Sequence, residues 1–199
     1  MNSSMKRLDA YIAEIYRETC DKGVLRVFDM DDTLLRTDGK VKVTHDDGNS
    51  VKLTPKMFAN YQRLPGDKFD YSEFYLLINP KPIKWMMRIF EAVYASQGPS
   101  GLVIATIRDT RTKQLIMRHF DNAGFSGIEV HPLGPVDDRI NVAKSEWIAD
   151  RVVRDELHTI HVFDDSTKTI EACNALNKPG FASVVCHRIV HNRISSLWE

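Results

Sequence analysis

Three cysteines in 199 residues, Cys20, Cys173 and Cys186, are too few and too irregularly spaced for a disulfide framework or a thiolate metal site. An odd number leaves at least one thiol unpaired, which suits a reducing compartment and sets the expectation of a cytoplasmic protein. No apolar run approaches the length of a membrane span. The amino end, Met1-Asn2-Ser3-Ser4-Met5-Lys6-Arg7, leads into a charged segment without the apolar stretch of a signal peptide. Excess charge is missing too: 27 basic residues face 27 acidic ones, so bulk composition offers no attraction to a polyanion. There is no internal repeat and no low-complexity tract. What is present is a chain 43% hydrophobic, enough to fill the core of one domain carrying a modest insert.

Apolar runs and amphipathic stretches alternate along most of it. Residues 5–20 place Leu8, Tyr11, Ile12, Ile15 and Cys20 near one helical stripe. Val24–Phe28, Gly101–Ala105, His158–Phe163 and Phe181–Cys186 read as short strands, with a weaker one at Gly127–His131. Helical patterns lie between them over Thr110–Ala123, Ile140–Arg154 and Thr167–Leu176. Strands alternating with helices of this length predict a largely parallel sheet covered on both faces.

The alternation stops over residues 35–98. Val41, Val43, Val51 and Leu53 flank a hairpin-turn signal at Asp47-Gly48, and helices are expected from Pro55 to about Leu64 and from Pro82 to Tyr94. An insert of this size, placed after the first strand, is expected to form a small lid over that strand's carboxyl end. The expected division is therefore a core of residues 1–34 and 99–199 and a lid of residues 35–98.

The most informative residues are Asp29 and Asp31, one residue apart after the first apolar run. If the chain stays extended, side chains two apart point the same way. At a strand's carboxyl end they concentrate negative charge where an open α/β sheet binds ligands, which calls for an Mg2+-like cation. Other polar groups follow other strands: Thr106 with Arg108 and Asp109, and Asp164-Asp165-Ser166, with Lys144 on a helical stretch between them. Blander roles compete. Ser166 and the acidic pair suit a helix cap, Lys144 belongs to a helix whose basic residues would also suit solvent, and Arg108 serves either an anionic substrate group or a bidentate pair within the acidic cluster. The seven histidines show no metal-ligand spacing.

Taken together these residues resemble the haloacid-dehalogenase-like (HAD) phosphohydrolases. Val27-Phe28-Asp29-Met30-Asp31-Asp32-Thr33-Leu34 matches the first motif at every defining position, and Val103-Ile104-Ala105-Thr106 matches the second. Lys144 is the best candidate for the third, and Val162-Phe163-Asp164-Asp165 matches the fourth, in order across residues 24–186. The resemblance implies an α/β, HAD-like Rossmannoid three-layer sandwich with a central parallel sheet and the lid inserted after its first strand. It implies Asp29 as nucleophile, forming an aspartyl-phosphate, and Asp31 as general acid and base. It implies Mg2+ held by Asp29, the Asp31 main-chain carbonyl and Asp164, with support from Asp165. Thr106 and Lys144 are implied to bind the transferring phosphoryl group, with Arg108 as a further phosphate ligand, and Thr33 to brace the turn between the aspartates.

The expected reaction is hydrolysis of a phosphomonoester, on a small phosphate ester or nucleotide. Asp31 disfavours dehalogenation, while phosphonate cleavage and phosphomutase chemistry remain alternatives. Residues 34–98 hold ten lysines and arginines against seven acidic residues, so a phosphorylated nucleic-acid end is the alternative partner and polynucleotide 3′- or 5′-phosphatase the alternative activity. A non-catalytic binding module on the same fold is the competing class. No membrane partner is expected, and the protein is expected as a monomer or weak homodimer.

Overall fold

The computed structural model describes residues 3–17, 23–59, 61–134, 140–190 and 193–194. The chain enters through α1 (Ser3–Arg17), whose Tyr11 and Ile15 are buried with Leu8 and Ile12 packed beside them. Cys20, placed on that stripe by the sequence pattern, lies outside the described residues. Then comes β1 (Val24–Phe28), five residues rich in β-branched and aromatic side chains and buried at every position. A turn leads to β2 (Leu35–Arg36), β3 (Val41–Thr44), β4 (Ser50–Leu53), α2 (Pro55–Ala59), β5 (Lys68–Asp70), a 3-10 turn at Ser72–Tyr75, and β6 (Lys81–Pro82). The alternating part follows: α3 (Lys84–Gln97), β7 (Leu102–Thr106), α4 (Lys113–Asn122), β8 (Glu129–Pro132), α5 (Ile140–Arg154), β9 (Thr159–Asp164), α6 (Thr167–Asn174), β10 (Ser183–Val190) and β11 (Arg193–Ile194).

The main sheet runs β11-β10-β9-β1-β7-β8, with all neighbours parallel except the β10–β11 pair. Its interior strands are near-continuous apolar runs because both faces are covered. Phe28, Ile104, Val130 and Phe163 face a cluster that includes Tyr11, Met86, Phe90, Ile116 and Phe120. Leu25, Val27, Val103, Ala105, Ile160 and Val162 face a second cluster with Ile148, Val152 and Cys173. Helix, sheet and helix make the three layers of a Rossmannoid sandwich. Among the described residues no helix is long and apolar enough to cross a membrane.

Between β2 and β6 the chain makes an excursion with its own sheet, β4-β3-β5, and its own small cluster of Val41, Val43, Leu53, Phe58 and Phe74. The hairpin is closed at Asp47-Gly48, where Gly48 takes φ 82° and its N–H donates to the His45 carbonyl (2.9 Å). β5 and the antiparallel β2–β6 neck carry no sequence signal at their lengths of three and two residues. α3, by contrast, buries Met86, Ile89, Phe90 and Val93 in the main core, at the spacing of one helical stripe. The helix expected from Pro55 to Leu64 is described over Pro55–Ala59, and residues 61–64 are not helical.

Candidate functional site

Strand parity builds the site. Leu25 and Val27 face the α5 and α6 side of the sheet, as do Ile160 and Val162. Continuing the two-residue period sends Asp29 and Asp164 to that same side, at the carboxyl ends of adjacent strands. β1 and β9 are in register with Phe28 opposite Phe163, and the Asp29 N–H donates to the Phe163 carbonyl at 2.9 Å. Helix α5 crosses the same face and delivers Lys144, which is 2% exposed. Its Nζ donates to Asp29 Oδ1 (3.0 Å) and Asp164 Oδ2 (2.5 Å). Lys144 is therefore a buried bridge between two carboxylates, not a solvent-facing helix residue. Ser166 caps α6, its Oγ accepting from the Thr169 N–H, while Asp164 Oδ1 accepts from the Ser166 N–H (2.8 Å).

Asp165 completes an acidic triad with Asp29 and Asp164, one ligand atom of each lying within 4.8 Å of the others. Three ionised carboxylates against one ammonium leave an excess of two negative charges, and the carboxyls respond. Burial pushes Asp29 well above the usual carboxylate range; Lys144 pulls it back, while Asp164, Asp165 and Asp31 push it further up. Asp165 is pushed up to about 7, by burial first and then by the charges of Asp164 and Asp32. Burial disfavours the Lys144 ammonium, but the Asp164 and Asp29 carboxylates outweigh it and hold that ammonium charged above its ordinary range.

The donor set fits a hard divalent cation. Carboxylate oxygens are what such a cation takes, and a charge of two matches the excess that the fully ionised triad would carry over Lys144. Two oxygens that each bind Mg2+ at 2.0–2.1 Å stand at most about 4.2 Å apart.

Asp31 is held by other partners. The chain does not stay extended: β1 ends at Phe28, the Met30 carbonyl accepts from the N–H groups of Leu34 and Leu35, and Asp32 takes φ 57°. This turn, not strand parity, aims Asp31, and its carboxylate meets Arg108. Nε of Arg108 donates to Asp31 Oδ2 (2.7 Å) and Nη2 to Oδ1 (2.8 Å), a bidentate pair. The condition under which Asp29 and Asp31 would point the same way, an extended chain, is not met, and the carboxylates that cluster are those of Asp29, Asp164 and Asp165.

Arg108, expected either on an anionic substrate group or in a bidentate pair within the acidic cluster, makes the pair. Its remaining N–H groups go to Thr37 Oγ1 (2.8 Å) and to the carbonyls of Phe74 (2.9 Å) and Leu76 (2.7 Å), so all five donors are engaged. Thr106 sits buried at the end of β7, its hydroxyl oxygen accepting from the Arg108 N–H (3.3 Å). Thr33 is fully buried in this turn, and its hydroxyl makes no hydrogen bond. Asp109 accepts from the backbone N–H and Nε of Arg111.

Sequence reasoning missed Thr37, which donates to Asp31 Oδ1 (3.0 Å), and the two carbonyls that hold Arg108. Thr37 stands in no strand or helix and beside no motif, and main-chain carbonyls have no signature at all. No protein-family model and no curated protein matches this chain. What stands is a Rossmannoid parallel-sheet fold with a clustered acidic triad of Asp29, Asp164 and Asp165.

Proposed function

We propose that the protein is a Mg2+-dependent phosphomonoester hydrolase of the HAD type, acting on a small phosphate ester or nucleotide. The observation that carries this reading is the triad: three carboxylates whose ligand atoms lie within 4.8 Å at the carboxyl ends of adjacent parallel strands, with Lys144 between two of them. Mg2+ held by Asp29, Asp164 and Asp165 would neutralise charge on the phosphate and orient it toward the nucleophile.

Asp29 attacks phosphorus through a carboxylate oxygen, the bond to the ester oxygen breaks, and an aspartyl-phosphate forms. Asp31 gives a proton to the departing oxygen and then takes one from the water that hydrolyses the acyl phosphate. The Lys144 ammonium and the Thr106 hydroxyl bind phosphoryl oxygens as charge builds on them. The 35–98 segment serves as a lid, of which the neck and the 37–80 excursion are the covering part.

A small substrate is favoured over a polynucleotide because the chain carries no net positive charge and two of the ten cations of residues 34–98 are already paired. Lys52 contacts Glu73 and Arg88 contacts Asp9, which leaves less positive surface for a phosphate backbone. The test is phosphate release with Mg2+ from a panel of sugar phosphates, nucleoside monophosphates and 3′- or 5′-phosphorylated oligonucleotides. We expect turnover of at least one small ester. In Asp29→Asn it falls by about a thousandfold or more, since the amide keeps the shape and loses the nucleophile. Retained turnover in that variant, or none from the folded wild type across the panel, overturns the reading.

A further inference from the structure

Arg108 is a guanidinium 1% exposed whose two edges face different parts of the fold. Nε and Nη2 hold the Asp31 carboxylate, and Nη2 also donates to Thr37 Oγ1. Nη1 holds the carbonyls of Phe74 and Leu76, at and just beyond the 3-10 turn of the excursion, and the Phe74 ring lies 5.1 Å from the Arg108 Cζ. Thr37 lies where the excursion departs and Phe74 and Leu76 where it returns. One buried side chain thus joins the carboxylate beyond β1 to both legs of the excursion. The rest of the neck is a short ladder: β2 with β6, the Asp38 N–H on the Ile78 carbonyl (3.0 Å), and Asn79 on Asp38.

We propose that Arg108 is a positioning residue that makes the seating of the 72–76 turn and the orientation of the Asp31 carboxylate one event, so that Asp31 is presented for proton transfer when the excursion is docked. The catalytic part of this rests on the phosphatase reading; the mechanical coupling does not. The geometry needs a planar fork. An ammonium has three donors around one point and can serve the carboxylate or the two carbonyls, not both. Undocking the turn strips Arg108 of two acceptors and frees the guanidinium to leave Asp31. Turning Asp31 away loosens the opposite edge, because coupling between two sites is reciprocal.

Amide hydrogen exchange of the full chain, without substrate, tests the coupling. Arg108→Lys is expected to raise exchange at residues 72–78 by about tenfold or more while the amides of β1 and β7 stay protected. Asp31→Asn, altered on the other side of the tie, is expected to raise exchange in the same segment. The two together should do little more than either alone. If Asp31→Asn leaves residues 72–78 as they are in the wild type, the proposal is overturned. Thr37→Val, which removes one neutral contact, replaces Arg108→Lys if that variant loses protection in the sheet.

Kinetics supply the second arm. Arg108→Lys should lower kcat on an alkyl phosphate by about a hundredfold, the scale of a misplaced general acid, and much less on a nitrophenyl phosphate that needs little protonation. KM should change little. Equal losses on both esters, or a rise in KM alone, overturn the positioning role in favour of direct phosphate binding. A wild type that hydrolyses neither ester removes the phosphatase reading only, and the exchange experiment then decides the coupling.

Discussion

At the scale of single residues, the site is governed by an imbalance of charge. Asp29, Asp164 and Asp165 crowd three carboxylates into a largely buried space where Lys144 supplies one positive charge. Calorimetry should therefore find Mg2+ binding to the wild type and much weaker binding to Asp164→Ala; equal affinity would exclude Asp164 as a ligand. Lys144→Met removes the bridge and leaves Asp29 Oδ1 and Asp164 Oδ2 without their cation. Breaking a buried pair from one side costs about 3–5 kcal/mol, so the thermal midpoint should fall by about ten degrees in a domain of this size. Mg2+ should recover more of that loss in Lys144→Met than it adds to the wild type, because it replaces the missing charge. Melting curves with and without Mg2+ check this, and equal gains in both proteins would contradict it.

At the scale of elements, the excursion and the main sheet are held by different interactions. The β4-β3-β5 sheet packs through its own cluster, where Phe58 meets Phe69, Tyr71 and Phe74 edge-on, and none of its buried members belongs to the two main clusters. Its attachment to the core includes the two-residue neck strands, Arg108, Arg111 stacked on the Tyr75 ring at 3.8 Å, and Leu77 packed against the main cluster. Such a unit is expected to open without unfolding the sheet. Phe58→Ala should cost about 3 kcal/mol locally. Hydrogen exchange should show it at residues 41–53 and 68–70, with β1, β7 and β9 unaffected; loss of protection across the whole sheet would mean that the excursion and core fold as one. α3 behaves otherwise, since its Met86, Ile89, Phe90 and Val93 are part of the main core.

At the scale of the molecule, acid sensitivity comes from behind the site. His161 on β9 and His187 on β10 stack at 5.4 Å, with Nδ1 of the first 3.1 Å from Nε2 of the second and the Tyr11 hydroxyl 3.3 Å from that same atom. Phe163 stacks on His187, and the buried Arg26 stands opposite His161 across the β1–β9 ladder. Burial, with the Arg26 charge, pushes His161 down to about 4; burial, the neighbouring His161 and Arg26 push His187 down to about 3. The folded protein thus keeps both rings neutral where the unfolded chain, with histidine near 6.5, takes up protons. This contribution to stability is complete above about pH 6.5 and is lost as pH falls toward 4 and then 3. Thermal midpoints should drop over that window, by about 2–4 °C for each kcal/mol lost, and His187→Phe should flatten the decline. A variant as acid-sensitive as the wild type would locate the cause elsewhere.

Much of the fold was legible because its signals are local. Val24–Phe28 and Gly101–Ala105 are apolar runs of strand length, the second realised one residue further on as Leu102–Thr106, and Ile140–Arg154 carries a helical stripe over the span of α5. Asp29 and Asp164 were legible for the same reason, since one follows and the other ends a strand whose two-residue period sets its direction. The ends of β10 and the three residues of β5 were not, because so few residues hold no period and pairing with a neighbour decides their extent. The sequence by itself determined a sheet of parallel strands and the carboxylates at its edge. Tertiary structure decided where Asp31 and Arg108 point. Arg108 finds Asp31 across 77 positions and the carbonyls of Phe74 and Leu76 across more than thirty. Every residue of the chain carries such a carbonyl, so only the packed fold selects the two that are left facing a buried guanidinium.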